Sequence, residues 1–274
     1  YILGNTHDFD YARDALPSAE LLEMDRWMLA RTALLQEEIR AAYAEYQFLK
    51  VQQKLHHFCS VDLGGLYLDI LKDRLYTSPA ASRARRSAQT VLWQMLEAMV
   101  RWMAPILSFT AEEIWQEMRN RSAPSVFFGE YPALSLPEDT LALNARWDRL
   151  SQLREAVNAS LEPLRQDKKI GSGLDAELRI YANQDWEEFL RPLGEELRYF
   201  LMTSACSILA YSARPEVCAE PLPGVALEVE SSSARKCARC WHRRADVGEH
   251  AEHPEICGRC VSNLELPGEN REFC

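Results

Sequence analysis

Four of the eight cysteines in the chain fall into two pairs, Cys237-Ala238-Arg239-Cys240 and Cys257-Gly258-Arg259-Cys260. Two residues between thiols let a tight turn aim both sulfurs at one point, and the sixteen residues between the pairs leave room to bring the turns together. This donor set suits one tetrahedral Zn²⁺ per chain. Four thiolates leave no open position for a catalytic water, so the metal is read as structural. Two separate redox pairs are the alternative, but neither opens a thioredoxin-like strand-helix-strand unit. His242, His250 and His253 lie in the same segment, and the cysteine set is complete without them. Cys59, Cys206, Cys218 and Cys274 are scattered, with no disulfide framework and no companion histidine or acid, which favours a reducing cytoplasm. No nucleophilic triad is evident.

Around the first pair, Arg235, Lys236, Arg239, Arg243 and Arg244 supply cations without an intervening acid, and Trp241 sits among them. Cations pair with phosphates and an exposed indole stacks on an unpaired base, which is how single-stranded RNA loops are held. A Zn(Cys)₄ centre also carries formal negative charge, so the same cations could balance it while Trp241 covers the sulfurs. The residues alone leave both readings open. Lys72 with Arg74, and Arg83 with Arg85 and Arg86, read as solvated helical faces; Lys168 and Lys169 read as helix C-terminal charges favoured by the macrodipole.

The chain has 274 residues, enough for one large domain or two, and its 47% hydrophobic and 26% charged content is that of a folded globular protein. A net charge of −10 excludes a non-specific nucleic-acid coat, so any such contact is local. Apolar runs such as 100–109 are interrupted by Arg101 and Pro105 and fall short of the roughly 20 residues that cross a bilayer. The opening Tyr1-Ile2-Leu3-Gly4 lacks the features of a signal peptide, and the chain reads as a piece of a longer protein.

The elements that would position these residues are mostly helices. Met24, Met28, Leu35, Ile39, Ala42, Tyr46 and Leu49 share one stripe of a long helix from Glu20. A second helical pattern runs from Val51 to Cys59, stops at Gly64-Gly65 and resumes from Leu66 to Tyr76. A third carries Val91, Leu92, Met95, Met99 and Trp102 up to Pro105. Thr110-Ala111-Glu112-Glu113 has capping-box form and predicts a helix start. After a proline-rich connection, Trp147 to Leu164 makes another amphipathic helix, taken to close an antiparallel bundle. Strands are expected at 174–180, 205–211 and 225–229, with a helix at 186–201, making a small α/β appendage before the cysteine module.

Several segments together resemble the C-terminal part of the bacterial-type isoleucyl-tRNA synthetase family. They are Leu-Asp-Ile-Leu-Lys-Asp-Arg-Leu-Tyr at 68–76, Ala-Arg-Arg-Ser-Ala-Gln-Thr at 84–90 and Arg-Trp-Met-Ala-Pro-Ile-Leu-Ser-Phe-Thr-Ala-Glu-Glu-Ile-Trp at 101–115. Asp-Lys-Lys-Ile-Gly at 167–171, Cys-Ala-Arg-Cys-Trp-His at 237–242 and Glu-Ile-Cys-Gly-Arg-Cys at 255–260 complete the set. The resemblance covers nearly the whole chain, and the relatives specific for valine and leucine share the helical part without the paired knuckles.

The resemblance implies a mainly α chain. Residues 1–20 would be a connecting segment, 21–171 an antiparallel helical anticodon-binding domain of class I synthetase type, 172–232 a small α/β junction and 233–274 a Cys₄ zinc module. It implies anticodon stem-loop binding with tRNA(Ile) as partner, a monomeric state, and no membrane or DNA. Contacts to tRNA would come from Trp241, Lys236, Arg239, Arg243, Arg244, Arg259, Lys72, Arg74, Arg83, Arg86, Lys168 and Lys169. The family's full enzyme charges tRNA with isoleucine using ATP and Mg²⁺ and edits valyl-tRNA elsewhere. Its phosphate-binding signatures, His-Ile-Gly-His and Lys-Met-Ser-Lys-Ser, do not occur here, so no catalytic residue is expected and the chain alone should not aminoacylate. Two other readings are a DNA-repair glycosylase, which shares the finger spacing but needs an N-terminal proline where this chain has Tyr1, and a purely structural zinc-stapled module.

Overall fold

The computed structural model describes residues 1–119, 121–265 and 267–274, and the chain divides into two compact units. The first comprises Tyr1–Leu75 and Ala80–Asn144; the second comprises Tyr76–Pro79 and Ala145–Cys274.

The chain begins with two single-turn helices, α1 (Ile2–Asn5) and α2 (Tyr11–Asp14), the latter capped by Asp10, whose carboxylate accepts the Ala12 amide. Helix α3 (Glu23–Ala44) buries the stripe that begins with Met24, Trp27 and Met28 and ends at Ile39 and Ala42. It stops earlier than the periodicity predicts. Tyr46 adopts a left-handed φ of 56° and the Gln47 amide donates to the Ala42 carbonyl at 2.8 Å, so the terminal carbonyl is satisfied by a turn. Tyr46 and Leu49, expected inward, are exposed.

Helix α4 (Phe48–His57) does not break at Gly64-Gly65. It passes through a π-helical stretch, Phe58–Tyr67, directly into α5 (Leu68–Thr77). The wider π-turn keeps the backbone paired through the glycines, which leaves Phe58, Leu63 and Tyr67 buried. Helix α6 (Arg83–Met103) is capped by Ser82, whose hydroxyl accepts the Arg85 amide, and packs against α3 with Val91, Leu92, Met95 and Trp102 fully buried. Helix α7 (Ser108–Glu117) starts before Thr110, which lies inside it, so the expected capping box is not formed. Glu112 instead holds the following loop, accepting the Val126 amide at 3.0 Å and the Ser125 hydroxyl at 2.8 Å. Trp115 is buried in this corner with Val100 and Val126; truncating such a tryptophan costs about 3–5 kcal/mol.

Helix α8 (Thr140–Gln166) groups with the second unit from Ala145 onward, where the Trp147 ring meets Phe200 edge to face at 5.4 Å. The unit's mixed sheet comprises β1 (Ala176–Ala182), β2 (Ala205–Ala210), β3 (Ala219–Leu222) and β4 (Val225–Ser231), in the order β2-β1-β4-β3. Strands β1 and β2 are parallel with Leu178 opposite Cys206, and β1 and β4 are antiparallel with Ile180 opposite Leu227. The β1-to-β2 crossover holds α9 (Gln184–Leu190), a 3-10 turn and α10 (Leu197–Leu201), as a parallel connection requires. Strand β3, unread in the sequence, pairs with β4 through Pro223-Gly224, where φ is 77° at the glycine. Its Pro221 suits an edge position, since proline offers no amide to the ladder. The last helix, α11 (Gly258–Glu265), carries the final cysteine of the second pair.

Candidate metal centre and nucleic-acid interface

The first cysteine pair lies on a turn held closed by its own backbone. The Trp241 amide donates to the Cys237 carbonyl at 3.0 Å and the Cys237 amide to the His242 carbonyl at 2.9 Å. An antiparallel bridge between Lys236 and Arg243 ties the base of this knuckle. The second pair straddles the start of α11, and the Cys257 amide points at the Cys237 sulfur at 3.3 Å. Fold and spacing bring all four buried sulfurs within 4.8 Å of one another, with Cys237 to Cys260 and Cys240 to Cys257 both 3.8 Å. A tetrahedron of Zn–S bonds of about 2.3 Å has edges of about 3.8 Å, so the cluster fits one Zn²⁺. Among the described residues it is the one such grouping of histidine, cysteine and acid side chains.

Crowding sets the thiols against each other. Hydrogen bonds from Cys240, Cys257 and Cys260 hold Cys237 well below the usual thiol range, while those with Cys237, Cys240 and Cys257 push Cys260 well above it. A divalent cation removes that conflict by stabilising every thiolate at once. His242 is buried and turned away from ligand duty, its Nδ1 at 3.2 Å from the Cys240 carbonyl and its ring edge to face with Tyr199.

Trp241 lies at the surface. Its φ is 65°, a costly conformation for a bulky side chain, and the residue is 62% exposed. The cations around it divide into those facing solvent and those already engaged. Lys236, Lys168 and Lys169 are exposed; Lys169 approaches Asp167 at 3.1 Å. Arg244 is half-buried with Asp246 at 3.9 Å. Arg243 is committed inward, its Nε donating to Asp175 Oδ1 at 2.9 Å and its Nη1 to the Ala234 carbonyl at 3.1 Å. Arg239 donates to the Thr77 carbonyl at 2.7 Å. Arg259 packs over the Tyr199 ring with Glu269 Oε1 at 3.4 Å.

In the first unit, Lys72 is exposed beside Asp69. Arg83 donates to the Glu20 carbonyl at 2.8 Å, and Arg86 is largely buried among Asp14, Gln89 and the Phe9 ring. Arg74 cannot meet any RNA, because its side chain is wholly buried against Asp25. Reading it as a solvated cation fails because its acid partner is distant in sequence.

Asp175 was not read from the sequence. Its carboxylate receives the Gly171 and Ser172 amides at 3.2 Å as well as Arg243, and Lys236 Nζ lies at 3.7 Å. Burial disfavours its charge, but the Arg243 hydrogen bond, the Lys236 charge and the two amides outweigh that and hold its pKa below the ordinary carboxylate value. The Ser172-Gly173-Leu174-Asp175 capping pattern was the available signal. Gly173 is required there, since a Cβ would stand 2.5 Å from the Met202 carbonyl.

The model of the anticodon-binding domain of tRNA ligases matches residues 25–180. The chain belongs to that family. Residues 235–263, which contain all four clustered cysteines, match the zinc finger found in FPG and IleRS. An isoleucine–tRNA ligase of Halorhodospira halophila is 50% identical over 276 aligned positions, covering 99% of this chain and 29% of the relative. Isoleucine–tRNA ligases of Pseudomonas putida KT2440 and Teredinibacter turnerae are 49% and 46% identical, each covering all of this chain. The chain therefore spans about 29% of the length of these relatives. The finger family includes both proteins in its description, whereas the anticodon-binding match and the relatives agree with the synthetase expectation rather than the glycosylase one. A zinc cofactor agrees with both the finger match and the sulfur geometry. Among the described residues no helix is long and apolar enough to cross a membrane.

Proposed function

We propose that this chain is the part of an isoleucine–tRNA ligase that recognises the anticodon stem and loop of tRNA(Ile). Helices α3 to α7 act as an antiparallel bundle of class I synthetase type, and Cys237, Cys240, Cys257 and Cys260 hold one structural Zn²⁺ that gives the knuckle its shape. Isoleucine activation with ATP belongs to portions of the longer protein, since neither phosphate-binding signature occurs in this sequence.

The observation that carries the reading is the exposed Trp241 on a strained, metal-shaped turn in a chain of the anticodon-binding family. An indole face accepts any unpaired base, and stacking is worth about 1–3 kcal/mol per base. Lys236, Lys168 and Lys169 lie exposed in the same unit and supply the phosphate contacts that the acidic chain as a whole cannot.

The test is to titrate the chain with tRNA(Ile) and with a tRNA of another anticodon at two salt concentrations. Tighter binding of tRNA(Ile), with affinity falling as salt rises, is expected. Equal affinity for both tRNAs at each salt concentration would leave only a charge contact and defeat the anticodon reading. Absence of isoleucine-dependent pyrophosphate exchange is the accompanying expectation.

A further inference from the structure

Asp175 gathers donors from two segments that are far apart in sequence. From the segment after α8 come the Gly171 and Ser172 amides; from the zinc knuckle come the Arg243 guanidinium and the Lys236 ammonium. Neighbouring hydrogen bonds tighten the same junction. The Ser232 amide donates to the Asp175 carbonyl at 2.8 Å, the Ser231 hydroxyl to the Lys169 carbonyl at 3.3 Å and the Arg243 amide to the Ser204 hydroxyl at 2.6 Å. The carboxylate itself is nearly buried, yet the lysines carried by the two segments, Lys168 and Lys169 on one side and Lys236 on the other, remain exposed. Lys168 is also held at a φ of 58°, which fixes the direction in which this short segment leaves the helix.

We infer that Asp175 is a positioning residue for tRNA: it locks the 167–172 segment to the zinc knuckle so that Lys168, Lys169 and Lys236 are held together toward the RNA backbone. This rests on the tRNA-binding reading above and adds to it a residue that never touches RNA. A carboxylate beside phosphate-binding lysines opposes binding by simple charge, since removing it makes their surroundings more positive. Its positioning role acts in the opposite direction, because amides and cations released from Asp175 let the two lysine segments drift apart. The two effects predict opposite signs for one substitution.

Asp175→Asn, nearly isosteric and neutral, is the decisive variant, measured with tRNA(Ile) at two salt concentrations alongside zinc content. The expected result is binding weaker by about three- to tenfold, with a log-log salt slope smaller by about one, and zinc kept at one per chain. Trypsin cleavage after Lys168 and Lys169, measured without RNA, should accelerate in the same variant. Binding that is unchanged or tighter with zinc intact overturns the inference while leaving the tRNA reading in place. If the unaltered protein fails to bind tRNA at all, the proposed function falls first and this role falls with it. Unchanged trypsin cleavage at the two lysines would also overturn it, because the carboxylate would then not be holding the segment.

Discussion

Arg74 and Asp25 form a two-pronged ion pair, Nη1 to Oδ2 and Nη2 to Oδ1 both at 2.8 Å, and neither side chain reaches solvent. Tyr67 donates its hydroxyl to the same carboxylate at 2.7 Å, Ser87 donates to the other oxygen, and Arg74 also donates to the Ala84 carbonyl at 3.1 Å. One carboxylate thus joins α3, the π-helical stretch, α5 and α6. Removing the cation leaves a buried, poorly compensated negative charge.

Arg74→Ala should therefore cost about 3–5 kcal/mol of stability in the helical unit, read by chemical denaturation. At a temperature where the variant remains folded, its tRNA affinity and salt slope should match those of the unaltered protein. A reduced salt slope in folded Arg74→Ala would contradict the structural assignment.

Zinc should be present at one per chain in protein purified without chelator, and Cys257→Ala should lose it. Site formation and local folding are coupled, so chelation should disorder the knuckles while far-UV circular dichroism retains most of the helix signal. Loss of most helix on chelation would mean that the metal organises far more than its own module.

Trp241→Ala should weaken tRNA(Ile) binding by about 1–3 kcal/mol with little change in salt slope and zinc unaltered. Normal binding by this variant would assign the indole to packing alone.

Arg243 and Arg244, adjacent in sequence, should separate. Arg244→Ala is expected to lower the salt slope by about one and weaken all tRNAs alike, as loss of a phosphate contact does. Arg243→Ala unpairs the nearly buried Asp175, so its main effect should be a lower unfolding temperature of the second unit. An unfolding temperature left unchanged by Arg243→Ala would show that the Asp175 contact is dispensable.

Glu269 supplies the pH dependence. Burial opposes its ionisation, but the charges of Arg271 and Arg259, with hydrogen bonds from Arg271 and Asn263, hold its pKa below the ordinary carboxylate value. A depressed carboxylate contributes stability that is present above its unfolded pKa, about 4.3, and is lost as pH falls through the lower folded value. Glu269→Gln should flatten that acid limb in denaturation measured between about pH 5 and 3. An acid limb identical to that of the unaltered protein would remove Glu269 as its source.

What could be read beforehand followed the range of the interaction. Paired cysteines announce themselves because a knuckle is local, and the buried stripes of α3 and α6 do so because helical periodicity is local. Arg74 was misread because its partner lies 49 residues away, and the Arg243 contact went unread because Asp175 lies 68 residues away. Gly64-Gly65 suggested an interruption on propensity, but burial of Phe58, Leu63 and Tyr67 on the surrounding turns keeps the helix intact. Thr110 had capping chemistry at hand, yet the chain had already turned helical at Ser108. Strand β3 escaped notice because its short Ala-Glu-Pro-Leu run has no alternation.

The π-helical stretch acts as a phase shifter between α4 and α5. Each residue of an α-helix turns its successors by about 100°, so the number of residues accommodated in this wide stretch decides which way α5 faces. Its setting delivers Asp62 to Arg31 at 2.7 Å and Tyr67 to Asp25 at 2.7 Å, and it aims Arg74 at the same carboxylate. Deleting Gly64 or Gly65 would allow an ordinary helix to form and preserve nearly all local hydrogen bonding. It would also rotate the guanidinium of Arg74 away from its acid, so the helix would gain regularity while the unit lost its ionic centre.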